Sequence, residues 1–161
     1  MEYGDIAVGT EIPPLREKVT IVQTAMYCGI TWDFARQHYD LELAQSLGYD
    51  RPVVDPQMYG TFLARMLTDW ISLKARVKRL TVRYAAPSHI GDVLHYTGKV
   101  VKKYEKEGQR YLDCDLLVEN QNGDQIVKGS AVISDRYSVL LNRKEANSCF
   151  KKIDVPSVES A

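Results

Sequence analysis

Asp55-Pro56-Gln57-Met58-Tyr59-Gly60-Thr61-Phe62-Leu63-Ala64-Arg65-Met66-Leu67-Thr68-Asp69-Trp70-Ile71 is the stretch whose reading decides the fold. Asp is a strong helix N-cap. Pro at the first helical position costs nothing, because its missing N–H would have found no partner inside the helix. From there Met58, Tyr59, Phe62, Leu63, Met66, Leu67, Trp70 and Ile71 recur at helical spacing in a stripe too broad for a helix lying on a surface. Gly60, Thr61 and Ala64 keep the remaining side thin. The pattern predicts a helix over Pro56–Leu73 that is buried for most of its length, with its apolar residues serving as core.

Beyond that helix the period changes to two. Val77–Tyr84 alternates Leu80, Val82 and Tyr84 with Arg79, Thr81 and Arg83. Asp92–Tyr104 is a long strand, and Lys106-Glu107-Gly108 turns it into Arg110–Asn120, where Leu112, Cys114, Leu116 and Val118 share a face. Asn122-Gly123 is a short-hairpin signal leading into Gln125–Asp135. About four antiparallel strands then need an apolar cover on one face, and only the Pro56–Leu73 helix is long enough to supply it. An antiparallel sheet wrapped around one long central helix is an α+β arrangement, the hot-dog architecture.

Upstream the pattern is weaker. Residues 1–17 read as loop, broken by Gly4, Gly9 and Pro13-Pro14. Lys18–Thr24 is a short strand or leads into a helix through Gln23–Gly29. Gln37–Leu47 is a short amphipathic helix stopped by Gly48, and Asp50-Arg51-Pro52 is a turn. A single domain is expected over residues 1–141. A polar tail over residues 142–161 is expected to be extended or partly disordered.

With 161 residues the chain is one domain by size, and 45% hydrophobic and 26% charged residues are those of an ordinary globular protein. Lys+Arg and Asp+Glu both number 21, so bulk charge gives no case for nucleic acid or an anionic membrane. No apolar run approaches the ~20 residues of a membrane span. The N-terminus lacks a signal-peptide pattern. Three widely spaced cysteines, with no C-x-x-C and no His/Cys cluster, argue against a disulfide framework or a metal site and fit a reducing cytoplasm.

Chemistry is concentrated in Trp32-Asp33-Phe34-Ala35-Arg36-Gln37-His38-Tyr39-Asp40. A carboxylate and an imidazole five positions apart do not meet on an unbroken helix. If the chain turns through Phe34-Ala35 and begins a helix near Arg36, Asp33 and His38 reach one point and can hold and deprotonate a water. Asp40 is expected to cap the short helix that follows. Trp32 reads as core or pocket wall. Lys102 and Lys103, with Lys106, read as a solvated strand edge that could also receive the phosphates of a carried thioester.

The order Asp33-x(4)-His38-x-Asp40, Arg51-Pro52-Val53-Val54, the buried helix, then Tyr84-x(2)-Pro87-x(3)-Gly91-Asp92 resembles the MaoC-like hot-dog hydratases, which include the (R)-specific enoyl-CoA hydratases. The resemblance spans roughly residues 5–135. Leu63–Trp70 is also similar to the branch holding the small subunits of steroid side-chain enoyl-CoA hydratases. It implies reversible hydration of a trans-2-enoyl thioester of coenzyme A or an acyl carrier. Asp33 and His38 would be the catalytic pair, and Trp32, Tyr59, Lys102 and Lys103 would be candidate substrate or coenzyme A contacts. No cofactor and no metal is implied. The implied assembly is a homodimer, an oligomer of dimers, or a heteromer with a second hot-dog chain. The alternative tasks for the same fold are those of an acyl-CoA thioesterase, or of a subunit, catalytic or non-catalytic, of a hetero-oligomeric hydratase acting on bulky steroid-like acyl-CoA.

Two positions depart from that family's pattern. Its motif Asn-Pro is Ala35-Arg36 here, and the helix-start residue whose N–H polarises the thioester carbonyl falls on Pro56, which has no N–H. Gln57 or Met58 could donate instead, and Gln57 is the expected donor. On this reading the Asp55 carboxylate only caps the helix and points away from the substrate.

Overall fold

A computed structural model describes residues 3–71 and 75–135. In chain order it contains β1 (Glu11–Lys18), α1 (Ile21–Thr31), a 3-10 turn at Arg36–His38, α2 (Leu41–Ser46), α3 (Pro56–Trp70), β2 (Ala75–Tyr84), β3 (Val93–Lys106), β4 (Gln109–Glu119) and β5 (Gln125–Asp135). The strands form one antiparallel sheet in the order β1-β3-β4-β5-β2. Helix α3 lies against it and fills its concave face: Tyr59, Leu63, Met66, Leu67 and Trp70 are buried against Leu94, Tyr96, Val100, Leu112, Leu116, Val118, Ile126 and Ile133. The expected hot-dog arrangement is the observed one. Helix α3 ends at Trp70 with Ile71 as C-cap, a little short of the expected Leu73; residues 72–74 lie outside those described. The 142–161 tail lies outside them too.

The β3–β4 turn has two central residues, Glu107 and Gly108, both with positive φ (53° and 71°). That is the turn whose twist matches a tight hairpin, and Gly108 adopts it without strain. At Asn122-Gly123 the connection is longer than a two-residue turn. Asn120 accepts the N–H groups of Asn122 and Asp124 through its side chain, and so builds a wider loop.

The N-terminal reading needs correction. Residues 11–17, expected to be loop, belong to β1 despite Pro13 and Pro14. β1 is an edge strand with β3 on one side only, and its register shifts between Ile12 and Leu15, so the missing N–H groups fall at an irregularity of an edge. The sheet therefore has five strands, not four. Thr20 opens α1 with a capping box in which Thr20 and Gln23 satisfy each other's backbone N–H. Only Thr24 and Cys28 of this helix are buried, while Val22, Met26 and Ile30 form an exposed apolar stripe. No described helix is long and apolar enough to cross a membrane.

Candidate active site

Four short pieces converge beyond the N-terminus of α3. Helix α1 stops where Trp32 takes the left-handed conformation (φ 60°), and the N–H groups of Trp32 and Asp33 both donate to the Cys28 carbonyl. That turn throws Asp33 off the helix axis, and Asp33 Oδ1 accepts the Ala35 N–H at 3.1 Å. The 3-10 turn at Arg36–His38 then buries His38. Its Nδ1–H donates to the Val53 carbonyl at 2.8 Å, and the Val53 N–H returns to the Gln37 carbonyl. The chain thus turns between Asp33 and His38 as the spacing required. Asp40 caps α2 through Leu43 N–H and pairs with Arg36, the anchoring role expected for it.

With Nδ1 committed as a donor, Nε2 of His38 is the basic nitrogen, and the Gln37 side-chain amide approaches it at 3.5 Å. Ligating atoms of Asp33, His38 and Asp55 all lie within 4.8 Å of one another. Beside them a cavity of about 560 Å³ is lined by Gln37, His38, Leu47, Tyr49, Val53, Val54, Pro56, Tyr59, Tyr84, Ala86 and Pro87. Its wall is pinned from behind: the Tyr59 hydroxyl bonds the Ser88 hydroxyl at 2.8 Å and accepts the Ser88 N–H, and the Val54 N–H donates to the Ser88 carbonyl. A hollow of about 730 Å³ lies over β1, β3, β4 and β5, but its lining includes no histidine. The smaller of the two is the one that His38 lines.

The helix start does not behave as the sequence suggested. Asp55 Oδ1 accepts the Gln57 N–H at 2.8 Å, and the Met58 N–H donates to the Asp55 carbonyl. Gln57 is therefore not a free donor: the cap takes the second helical N–H, leaving Pro56 without one and Gln57 with a partner. Asp55 does not line the cavity, yet it is not merely a surface cap. It is 1% exposed, and its Oδ2 is buried without a partner, on the side chain that joins Asp33 and His38. The sequence marked Asp55 only as a cap; an Asp where Ser or Asn would cap equally well was the signal available.

Of the other candidate contacts, Tyr59 lines the cavity. Trp32 is 82% exposed, packs edge-on against Phe34 and does not line it. Lys103 is tied to the carbonyls of Tyr3 and Ile6, and Lys102 stands over the Tyr104 ring; neither borders the cavity. Asp33, His38 and Asp55 are also, among the described residues, the group whose donor atoms could together hold a metal ion.

An antiparallel sheet wrapped around a buried helix is the hot-dog class of fold. The MaoC-like domain matches residues 7–122, so the chain belongs to that family and is a hydro-lyase by class. Solved structures agree on the fold. A chain of the ChsH1-ChsH2 complex from Mycobacterium tuberculosis superposes with a TM-score of 0.73 at 22% identity, covering 81% of this chain and 98% of that one. The R-hydratase PhaJ1 from Pseudomonas aeruginosa gives 0.75 at 20% identity, covering 81% and 83%. The (R)-hydratase from A. caviae gives 0.73 at 18% identity, covering 80% and 96%. Among curated protein sequences none matches this chain.

Proposed function

We propose that the protein adds water reversibly across the double bond of a trans-2-enoyl thioester, giving a 3-hydroxyacyl thioester. The observation that carries this is the convergence of Asp33 and His38 beside a cavity of about 560 Å³. His38 Nε2 takes a proton from the water as its oxygen attacks C3, Asp33 orients the water, and a proton is delivered to C2. The thioester is the substrate, carried on coenzyme A or an acyl carrier, and the scheme uses no cofactor. Since Pro56, Gln57 and Met58 supply no free N–H, polarisation of the thioester carbonyl falls to the α3 dipole and to cavity-wall donors, of which Tyr84 and Gln37 are the nearest in kind.

The assembly we infer is a pair of hot-dog chains, two copies or this chain with a different one, as the ChsH1-ChsH2 complex is named for two chains. The unpaired edge of β2 and the exposed stripe of Val22, Met26 and Ile30 support it. Free buried thiols at Cys28 and Cys114 accord with a cytoplasmic place in fatty-acyl metabolism.

The test is one assay of purified protein against a panel of enoyl-CoAs, including bulky branched ones, following loss of the conjugated thioester chromophore and release of free coenzyme A. Hydration without thiol release is expected. Thiol release without hydration would make the protein a thioesterase and end this reading.

A further inference from the structure

Three acceptor groups meet at the candidate active site, with the Gln37 side-chain amide as a donor 3.5 Å from His38 Nε2. His38 commits its Nδ1–H to Val53, so Nε2 offers a lone pair. Asp33 contributes a carboxylate. Asp55 contributes a carboxylate oxygen within 4.8 Å of the ligating atoms of the other two; its Oδ2 is buried and unpartnered, while Oδ1 holds the Gln57 N–H. An orphaned buried carboxylate oxygen is a standing cost to the fold. Capping does not explain it, because capping uses only Oδ1 and an Asn or Ser would serve. The carboxylate is fixed in place by that cap, it is shielded from water, and its neighbours Val54 and Pro56 both line the cavity. The Cys28 thiol, pushed up first by its burial, is pushed further by the charges of Asp55 and Asp33, so both carboxylates act on this corner.

We propose that Asp55 is the positioning residue of the catalytic base: its buried carboxylate stabilises the imidazolium that forms when His38 takes a proton from the attacking water. This rests on the hydratase reading above. In the step, a water O–H bond breaks and its proton goes to His38 Nε2. The oxygen bonds to C3, and the double-bond electrons move through C2 toward the thioester oxygen. As the enolate collapses, a proton passes to C2 and the imidazole is neutral again. The imidazolium forms as the proton is taken, so a fixed anion beside it stabilises the transition state. Asp33, half-buried and nearer the surface, is left to orient the water.

Asp55→Asn in the full-length protein tests it, since Asn keeps both the size and the cap. The expected result is a fall in kcat on the order of 10–10²-fold, with KM unchanged and the melting temperature no lower. Asp55→Ser, a capping residue with no second oxygen, should fall equally. In a His38→Ala background Asp55→Asn should cost nothing further, because the group acts through the imidazole. Full activity in Asp55→Asn, or an equal loss with and without His38, overturns the proposal. So does wild-type activity that a chelator abolishes and a divalent cation restores, which would make the three groups a metal site. A wild-type protein that hydrates no enoyl thioester takes the hydratase reading down as well, whereas an active wild type with an intact Asp55→Asn removes this inference alone.

Discussion

The sheet with α3 and the segment from Thr20 to Gln57 are built on different principles. The first is regular and redundant: every inward residue of β3 from Leu94 to Val100 other than Gly98 is buried, and α3 meets that face along its length. A Cβ at Gly98 would come within 2.8 Å of the ends of the Ile12 and Leu116 side chains, which would have to shift to admit it. The second segment has two helices, a 3-10 turn and few buried side chains, and local side-chain bonds hold it: Thr20 with Gln23, His38 to Val53, Asp40 to Leu43, Asp55 to Gln57. The difference teaches that stability is spread over one region while chemistry is concentrated in the other. Substitutions in the two should therefore fail in opposite ways.

The largest expected effect is on the irregular side. Asp33→Asn and His38→Ala should each lower hydration on the order of 10²–10⁴-fold in kcat. The double variant should be little worse than either, since both groups act on one water. Steady-state kinetics on purified variants decides it, and near-full activity in either one removes that residue from the pair. On the regular side, Leu63, fully buried in α3, should do the reverse. Leu63→Ala is expected to cost about 2–5 kcal/mol in urea unfolding, with turnover per folded molecule preserved. A catalytic loss out of proportion to unfolding would show that the two regions are not separable.

Asp92 lies where the regions meet and sharpens the comparison further. Burial works to raise its carboxyl, but the His89 N–H, Arg51 and Gln121 together outweigh it and hold it below the ordinary carboxylate value. A depressed folded pKa means stability that is present above the ordinary value of about 3.9 and lost as pH falls through the lower folded one. Asp92→Asn should flatten that part of the acid limb of the stability–pH curve, read from melting temperatures between about pH 5 and pH 2, where the site's chemistry plays no part. The smallest effect belongs to Lys102→Ala, which should leave KM for a coenzyme A thioester unchanged because the side chain stands over Tyr104 away from the cavity. A several-fold rise in KM would restore it as a thioester contact.

Much of the fold was legible because its signals are local and repeated. Asp55-Pro56 opened α3, the eight apolar positions of its stripe predicted burial, and period-two alternation marked β2 to β5 with ends close to those observed. β1 was hidden because its prolines read as breakers, and only its place at the sheet edge makes them tolerable. In the site, the Asp33–His38 spacing carried the pair, since two chemically apt residues that need a turn between them leave a trace in the sequence.

What the sequence by itself determined is the central helix, the sheet around it, the pairing of Asp33 with His38 and the capping roles of Asp40 and Asp55. Each depends on neighbours within a few positions or on a periodic pattern. Tertiary structure alone decided that the Gln57 N–H is spent, that Lys102, Lys103 and Trp32 stand away from the cavity, and that the Asp55 carboxylate is buried beside the pair with its second oxygen unpartnered. Those facts depend on which side-chain atom finds which partner across the fold. A cap motif specifies that an oxygen will meet an N–H; it does not specify which N–H, nor where the other oxygen points, until the Val53–Asp55 segment is packed against His38.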